Sequence, residues 1–169
     1  MPHLVIENYS FSVYTVPETK QKPTLKGVFP MDYKKLAEQR TRSNPFALFV
    51  GINITKIEEG YAEVELKLRP EHLNPVGIVH GGCLYTMADV VTGAACASLG
   101  TQAVTVSGEY HYLAPAPANM KVATAAAKCI KSGKTICVFD VEVFAEDRTV
   151  IGKGTFTVFR LVNKPIVIE

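Results

Sequence analysis

The sequence has little of what marks most metal, redox or polyanion-binding proteins. Its four cysteines, Cys83, Cys96, Cys129 and Cys137, show neither metal-ligand spacing nor the density of a disulfide scaffold, and three sit in apolar stretches, so they read as reduced core residues. The histidines at 3, 72, 80 and 111 are scattered, and no pair has zinc-ligand spacing on a helix, so no metal is expected. His72 reads as a solvated loop residue. Lys plus Arg (18) barely exceed Asp plus Glu (16) and form no stripe, which argues against nucleic acid and other polyanions. Residues 1–44 hold no DNA-binding helix-turn-helix segment. Glu7 and the lack of an early basic cluster speak against a secretory signal, so a cytoplasmic location is expected. The one core serine beside a glycine, Ser107-Gly108, lacks the two-glycine elbow of a serine hydrolase. Gly152-Lys153-Gly154 follows no strand-to-helix context and reads as a bulge in the last strand.

What is present fits one globular unit. With 169 residues, 47% hydrophobic and 20% charged, the chain is long and apolar enough for a real core. Residues 3–16 are rich in strand formers and 17–30 are polar and proline-punctuated, so residues 1–30 are read as an appendage and linker, and 31–169 as the main domain. A short helix is predicted from Met31-Asp32 to Arg42, a further helical turn from Pro45, and a strand from Ile52 to Ile57. Tyr61 to Leu68 alternates apolar residues at 62, 64, 66 and 68 with charges at 63, 65 and 67, the period of a half-buried strand paired with its predecessor through Glu59-Gly60. After Gly100, strand-like runs at about 102–113, 119–131 and 134–146 are closed by 149–162. The breaks Ala114-Pro115-Ala116-Pro117, Ser132-Gly133 and Glu146-Asp147-Arg148 predict an antiparallel meander.

The segment from Val79 to Asp89 carries the functional signal. From Cys83 to Leu99 the only side chain charged near neutral pH is Asp89, in a helix that is apolar nearly all round. Such a carboxylate must be paired, kept near water, or raised in pKa. Asp89, Gly93, two threonines and many alanines favour a buried helix of a soluble domain over a membrane span. On the helical wheel Leu84, Ala88, Val91 and Ala95 form one stripe. Asp89 lies far from it beside Tyr85, Thr92 and Cys96, and the opposite side is small: Gly82, Gly93 and Ala97. That small side suits a second copy of the helix or a bound ligand.

The run His72-Leu73-Asn74-Pro75-Val76-Gly77-Ile78-Val79-His80-Gly81-Gly82, then Thr86-Met87-Ala88-Asp89, and later Tyr112-Leu113-Ala114-Pro115, resembles the hotdog-fold acyl-CoA thioesterases of the phenylacetate-pathway type over about residues 45–162. The resemblance implies an α+β hotdog fold, one long helix wrapped by five or six antiparallel strands, assembled as a dimer or dimer of dimers with sites between subunits. It implies an acid at Asp89 acting as nucleophile or general base, a Gly81 N–H that holds the thioester oxygen, and Asn74 and His80 lining the carbonyl and its water. A Ser or Thr on the following strand meets the acid or the water, and counting back from Tyr112 gives Thr105, with Ser107 expected on the same strand face. Gly82, Tyr85 and Val79 are read as substrate-lining. No cofactor is implied beyond the CoA of the substrate, and neither nucleic acid nor membrane is an expected partner. The residues before the matched region, which begins at about 45, have no counterpart in the compact family pattern and are expected to cover the mouth of an acyl tunnel.

The chemistry fits these roles independently. The first N–H groups of a helix carry partial positive charge and can stabilise an oxyanion. Glycines at 81 and 82 leave room for an acyl group and tolerate turn dihedrals. Asp89, two turns on, is expected to reach a water over that end of the helix. The expected activity is therefore hydrolysis of an aryl- or medium-chain acyl-CoA. A non-catalytic acyl-CoA sensor is the alternative; a hydratase would want a catalytic histidine on or near the helix.

Overall fold

Asp32 and Asn44 each start a helix by capping it. The computed structural model describes residues 31–168, so the expected appendage over residues 1–30 lies outside the described residues. Asp32 Oδ1 accepts from the Lys35 N–H at 3.0 Å and opens α1 (Tyr33–Arg42). Asn44 Oδ1 accepts from the Ala47 N–H at 3.0 Å and opens α2 (Pro45–Val50), whose proline fills the first turn, where an N–H has no partner to lose. Gly51, in the left-handed region at φ 95°, ends α2.

Two strands follow, β1 (Ile52–Glu58) and β2 (Tyr61–Lys67), joined through Glu59-Gly60 as expected. Period 2 does its expected work in β2: Ala62, Val64 and Leu66 are fully buried while Glu63 and Glu65 stay half-exposed on the other face. A 3₁₀ turn at Pro70–His72 leads to the long helix α3 (Gly81–Ala97). Then come β3 (Thr101–Tyr112), β4 (Val122–Ser132), β5 (Ile136–Phe144) and β6 (Val150–Pro165).

The six strands make one antiparallel sheet in the order β1-β2-β4-β5-β6-β3. The expected meander therefore holds for β4, β5 and β6 but not for β3, which pairs with β6 at the far edge. The reason lies in the connection. Leu113 to Lys121 contains two prolines that donate no N–H, and it serves as a crossover from one edge to β4, which takes its place beside β2.

The sheet wraps α3, the hotdog arrangement of an α+β domain. Leu84, Ala88, Val91 and Ala95 are buried as the wheel predicts, with Met87 among them. The inward face of β4 is Ala123, Ala125 and Ala127, short side chains that let the helix come close, while Phe139 and Phe156 fill the space from β5 and β6. Among the described residues no helix is long and apolar enough to cross a membrane.

Candidate active site

The remaining face of α3 is Gly82, Tyr85, Thr86, Asp89, Val90 and Gly93, spaced by three and four residues and left partly open. This corrects the expected neighbours of Asp89. Thr92 and Cys96 are buried in the core, and the Thr92 hydroxyl donates to the Ala88 carbonyl at 2.8 Å. Ala97 is also buried, so only the two glycines of the predicted small face remain on the open one.

Asp89 is half-exposed. The Thr105 hydroxyl donates to its Oδ1 at 2.6 Å, and among the described residues no cation forms an ion pair with it. Thr105 reaches it because of a bulge. Thr105 pairs with Val158 and Ser107 with Thr157, so Val106 is the extra residue and the alternation breaks between them. Val158 is buried against the helix, which places Thr105 on the inner face and Ser107 on the outer one. The expectation that the two share a face is thereby overturned, and only Thr105 is available to Asp89.

The amino-terminal end of the helix is built from the loop before it. Asn74 Oδ1 accepts from Val76 N–H at 3.1 Å and Ile78 N–H at 3.2 Å, and the Gly77 N–H closes a turn on the Asn74 carbonyl at 3.0 Å with Gly77 at φ 77°. With the oxygen used twice, the Asn74 amide NH₂ remains as a donor. His80 caps α3, its Nδ1 accepting from the Gly82 N–H at 2.8 Å. Gly81 and Gly82 do not need glycine's backbone freedom, since neither has a positive φ. They are needed for space. A Cβ on Gly81 would sit 2.9 Å from the Tyr112 ring, and one on Gly82 would sit 2.9 Å from His80 Nδ1.

Asn74, Val79, Gly81 and Tyr112 line one cavity of about 390 Å³, together with Leu84 and the chain from Leu113 to Ala116. Val79 is buried and its N–H bonds to the Ala116 carbonyl at 2.9 Å. Tyr85 stands outside this lining. Its hydroxyl donates to the Gly108 carbonyl at 3.3 Å, its ring lies 5.3 Å from Phe156 and 5.9 Å from Tyr110, and a Cβ at Gly108 would strike it. Tyr112, used above only as a landmark, is brought by the inner face of β3 onto Gly81, where its hydroxyl donates to the carbonyl at 3.1 Å. The alternation Gly108, Tyr110, Tyr112 after the bulge is the sequence signal for that face.

One further assignment changes. His72 is buried instead of solvated: Nδ1 accepts from the Arg69 N–H at 3.0 Å, which leaves the proton on Nε2, facing the Val50 carbonyl at 2.9 Å. Arg40 of α1 is a residue the sequence did not flag. Its guanidinium lies beside Gly93 on the open face of α3 and donates to Gln102 at 2.9 Å, and burial lowers its pKa from the ordinary arginine value. The Gly152-Lys153-Gly154 pair does lie next to a bulge, at Ile151 against β5, and its glycines also make room for the Tyr110 ring. Among the described residues no cluster has the donors to hold a metal.

One distance organises all of this. Gly81 and Asp89 are eight residues apart on one helix, about 12 Å along its axis at 1.5 Å per residue. At that length Asp89 does not itself touch the helix end of its own chain.

A family model described as the thioesterase superfamily matches residues 76–151. The Escherichia coli (strain K12) acyl-coenzyme A thioesterase PaaI is 31% identical over 102 residues, covering 60% of this chain and 72% of that one. The chain belongs to the thioesterase superfamily. Its fold agrees with that of the solved E. coli PaaI protein, at a TM-score of 0.71 and 27% identity, covering 76% of this chain and 95% of that chain. A hypothetical thioesterase protein of Streptococcus pneumoniae, solved with coenzyme A, is 33% identical at a TM-score of 0.61, covering 64% and 84% of the two chains. It has also been solved as an aspartate-to-alanine and as a threonine-to-alanine variant, at positions 16 apart, the spacing that separates Asp89 from Thr105 in this superfamily member.

Proposed function

We propose that the protein hydrolyses an aryl- or medium-chain acyl-CoA to the free acid and CoA, in a site made of Gly81 and Asn74 from one copy and Asp89 and Thr105 from a second. The observation that carries this reading is the Asp89–Thr105 pair: a carboxylate on the open face of an otherwise apolar helix, held by one hydroxyl and in no ion pair among the described residues. A purely structural carboxylate would be used up by capping or ion pairing. A sensor that only binds acyl-CoA has no need of one here.

The chemistry follows. The Gly81 N–H, first of its helix, takes no acceptor among the described residues and is aligned with the helix dipole, so it suits a thioester carbonyl oxygen that becomes negative. The Asn74 amide supplies a second donor beside it. Asp89 acts as base toward water or as nucleophile; with water, it takes a proton as the hydroxyl adds to the carbonyl carbon. Collapse of the tetrahedral oxyanion breaks the C–S bond, and the CoA thiolate leaves and is protonated. Thr105 holds Oδ1 and so leaves Oδ2 directed at the attacking species. His80 serves as the cap that holds Gly82, which lies outside the cavity with Tyr85, while Val79 lines it.

Pairing of two copies is supported by the surface that flanks Asp89. Val104 and Val106, the neighbours of Thr105 on the edge strand β3, are 52% and 60% exposed. Thiol release from a panel of aryl-, short-, medium- and long-chain CoA thioesters tests the reading. Hydrolysis confined to aryl or medium chains is expected; no turnover of any member ends it.

A further inference from the structure

The oxyanion donor proposed above sits on a glycine, the residue type with the freest backbone. Gly81 is a glycine at the first position of its helix, where backbone entropy is largest and ends fray. We propose that Tyr112 and His80 clamp the Gly81–Gly82 peptide from both sides and so fix the direction of the Gly81 N–H, which makes Tyr112 a positioning residue for thioester hydrolysis. This inference rests on the reading of Gly81 as the oxyanion donor.

Three observations carry it. The carbonyl of that peptide accepts from the Tyr112 hydroxyl at 3.1 Å, and its N–H is taken by His80 Nδ1 at 2.8 Å. Rotating the peptide plane breaks both bonds at once, and the Gly81 N–H lies just across the Gly81 Cα, two rotatable bonds away. The paired glycines are shaped for these two side chains: a Cβ on Gly81 meets the Tyr112 ring and a Cβ on Gly82 meets the His80 imidazole. Tyr112 is itself held, with the Tyr110 ring edge-on at 4.8 Å and β6 in register beneath it at Gly152. Burial, with Tyr85 adding to it, raises the Tyr112 pKa, so its hydroxyl stays a donor across the neutral range. The ring lines the cavity shared with Asn74 and Gly81, so the clamp works from the wall of the site without supplying a group that the reaction consumes.

Tyr112→Phe keeps the ring and removes only the bond, and is the variant to test. Two readouts are taken on the full chain: steady-state kinetics on the best CoA thioester of the panel, and the ¹⁵N order parameter of the Gly81 amide in the unliganded protein. The expected result is a kcat lower by about tenfold with KM changed less than about twofold, and a Gly81 order parameter that falls from about 0.85 in the parent to below about 0.6. An unchanged order parameter overturns the clamp, as does a loss confined to KM or to Tm. If the parent protein turns over no acyl-CoA, the proposed function fails, while the Gly81 amide still decides the clamp.

Discussion

The Thr105 hydroxyl reaches Asp89 Oδ1 at 2.6 Å from the inner side of a one-residue bulge in β3. Without Val106 as the extra residue, the alternation of the strand would place Thr105 and the inward tyrosines, Tyr110 and Tyr112, on opposite faces. The bulge lets one strand serve two places on α3: Thr105 at the carboxylate in mid-helix, Tyr112 at the amino terminus.

Asp89→Asn should keep the fold and the hydrogen bond from Thr105 while lowering kcat by about 10²–10⁴-fold, the usual loss when a base is removed. Thiol release gives the rate and thermal unfolding checks the fold. Turnover equal to the parent's would remove Asp89 from the mechanism.

Thr105→Val should cost about tenfold in kcat, the size of one hydrogen bond to a charged group, with Thr105→Ser close to the parent. Because Ser107 lies on the outer face, Ser107→Ala should change nothing. If the Ser107 variant is the impaired one, the bulge has been placed wrongly.

Asn74→Asp separates two duties. The carboxylate can still accept from the Val76 and Ile78 N–H groups, so Tm should hold, but the amide donor is gone and a negative charge faces the oxyanion. Turnover should fall more than in Asn74→Ala. A collapse in Tm with no separate loss of kcat would make Asn74 a loop residue only.

Mixing two inactive variants tests whether the site is shared. Gly81→Pro removes the N–H at a helix position that needs no backbone donor, after the extended backbone of His80 at ψ 131°, and its Cβ also crowds the Tyr112 ring, so the donor end of that copy is disabled. Co-refolded with Asp89→Asn, it should give about a quarter of the parent turnover, because mixed dimers hold one intact site each. A site within one chain gives none.

Alkaline stability carries a sign that the buried thiol sets. Burial, reinforced by Cys137, raises the Cys96 pKa from 9.0 to about 12. Between those values the unfolded chain loses a proton that the folded chain keeps, so stability should be intact below about pH 9 and fall as pH rises toward 12. Tyr61, raised from 10.0 to about 12 by burial and then by its bond to Glu63, acts in the same direction. Cys96→Ala should flatten the fall of Tm over this window; an equally steep fall would assign it elsewhere.

What could be read from residue order was local. A helix start at Asp32, a helical turn from Pro45, the alternation over Tyr61–Leu68, the apolar stripe of α3 and its one acid all follow from order along a single element, because 3.6 and 2.0 are properties of the backbone. The motif around His80 and Asp89 carried the family, and through it the candidate residues. What spacing could not fix was decided by contacts between distant segments. The nine-residue crossover sent β3 to the far edge, the Val106 bulge chose Thr105 over Ser107, and packing drew His72 inside to serve Arg69 and Val50. The paired glycines are empty at Cβ because Tyr112 and His80 occupy that space, a fact no local pattern contains. The 12 Å between Gly81 and Asp89 follows from helix rise alone, about 1.5 Å per residue, yet its meaning needs the tertiary fold, which leaves that face of the helix open for a second copy.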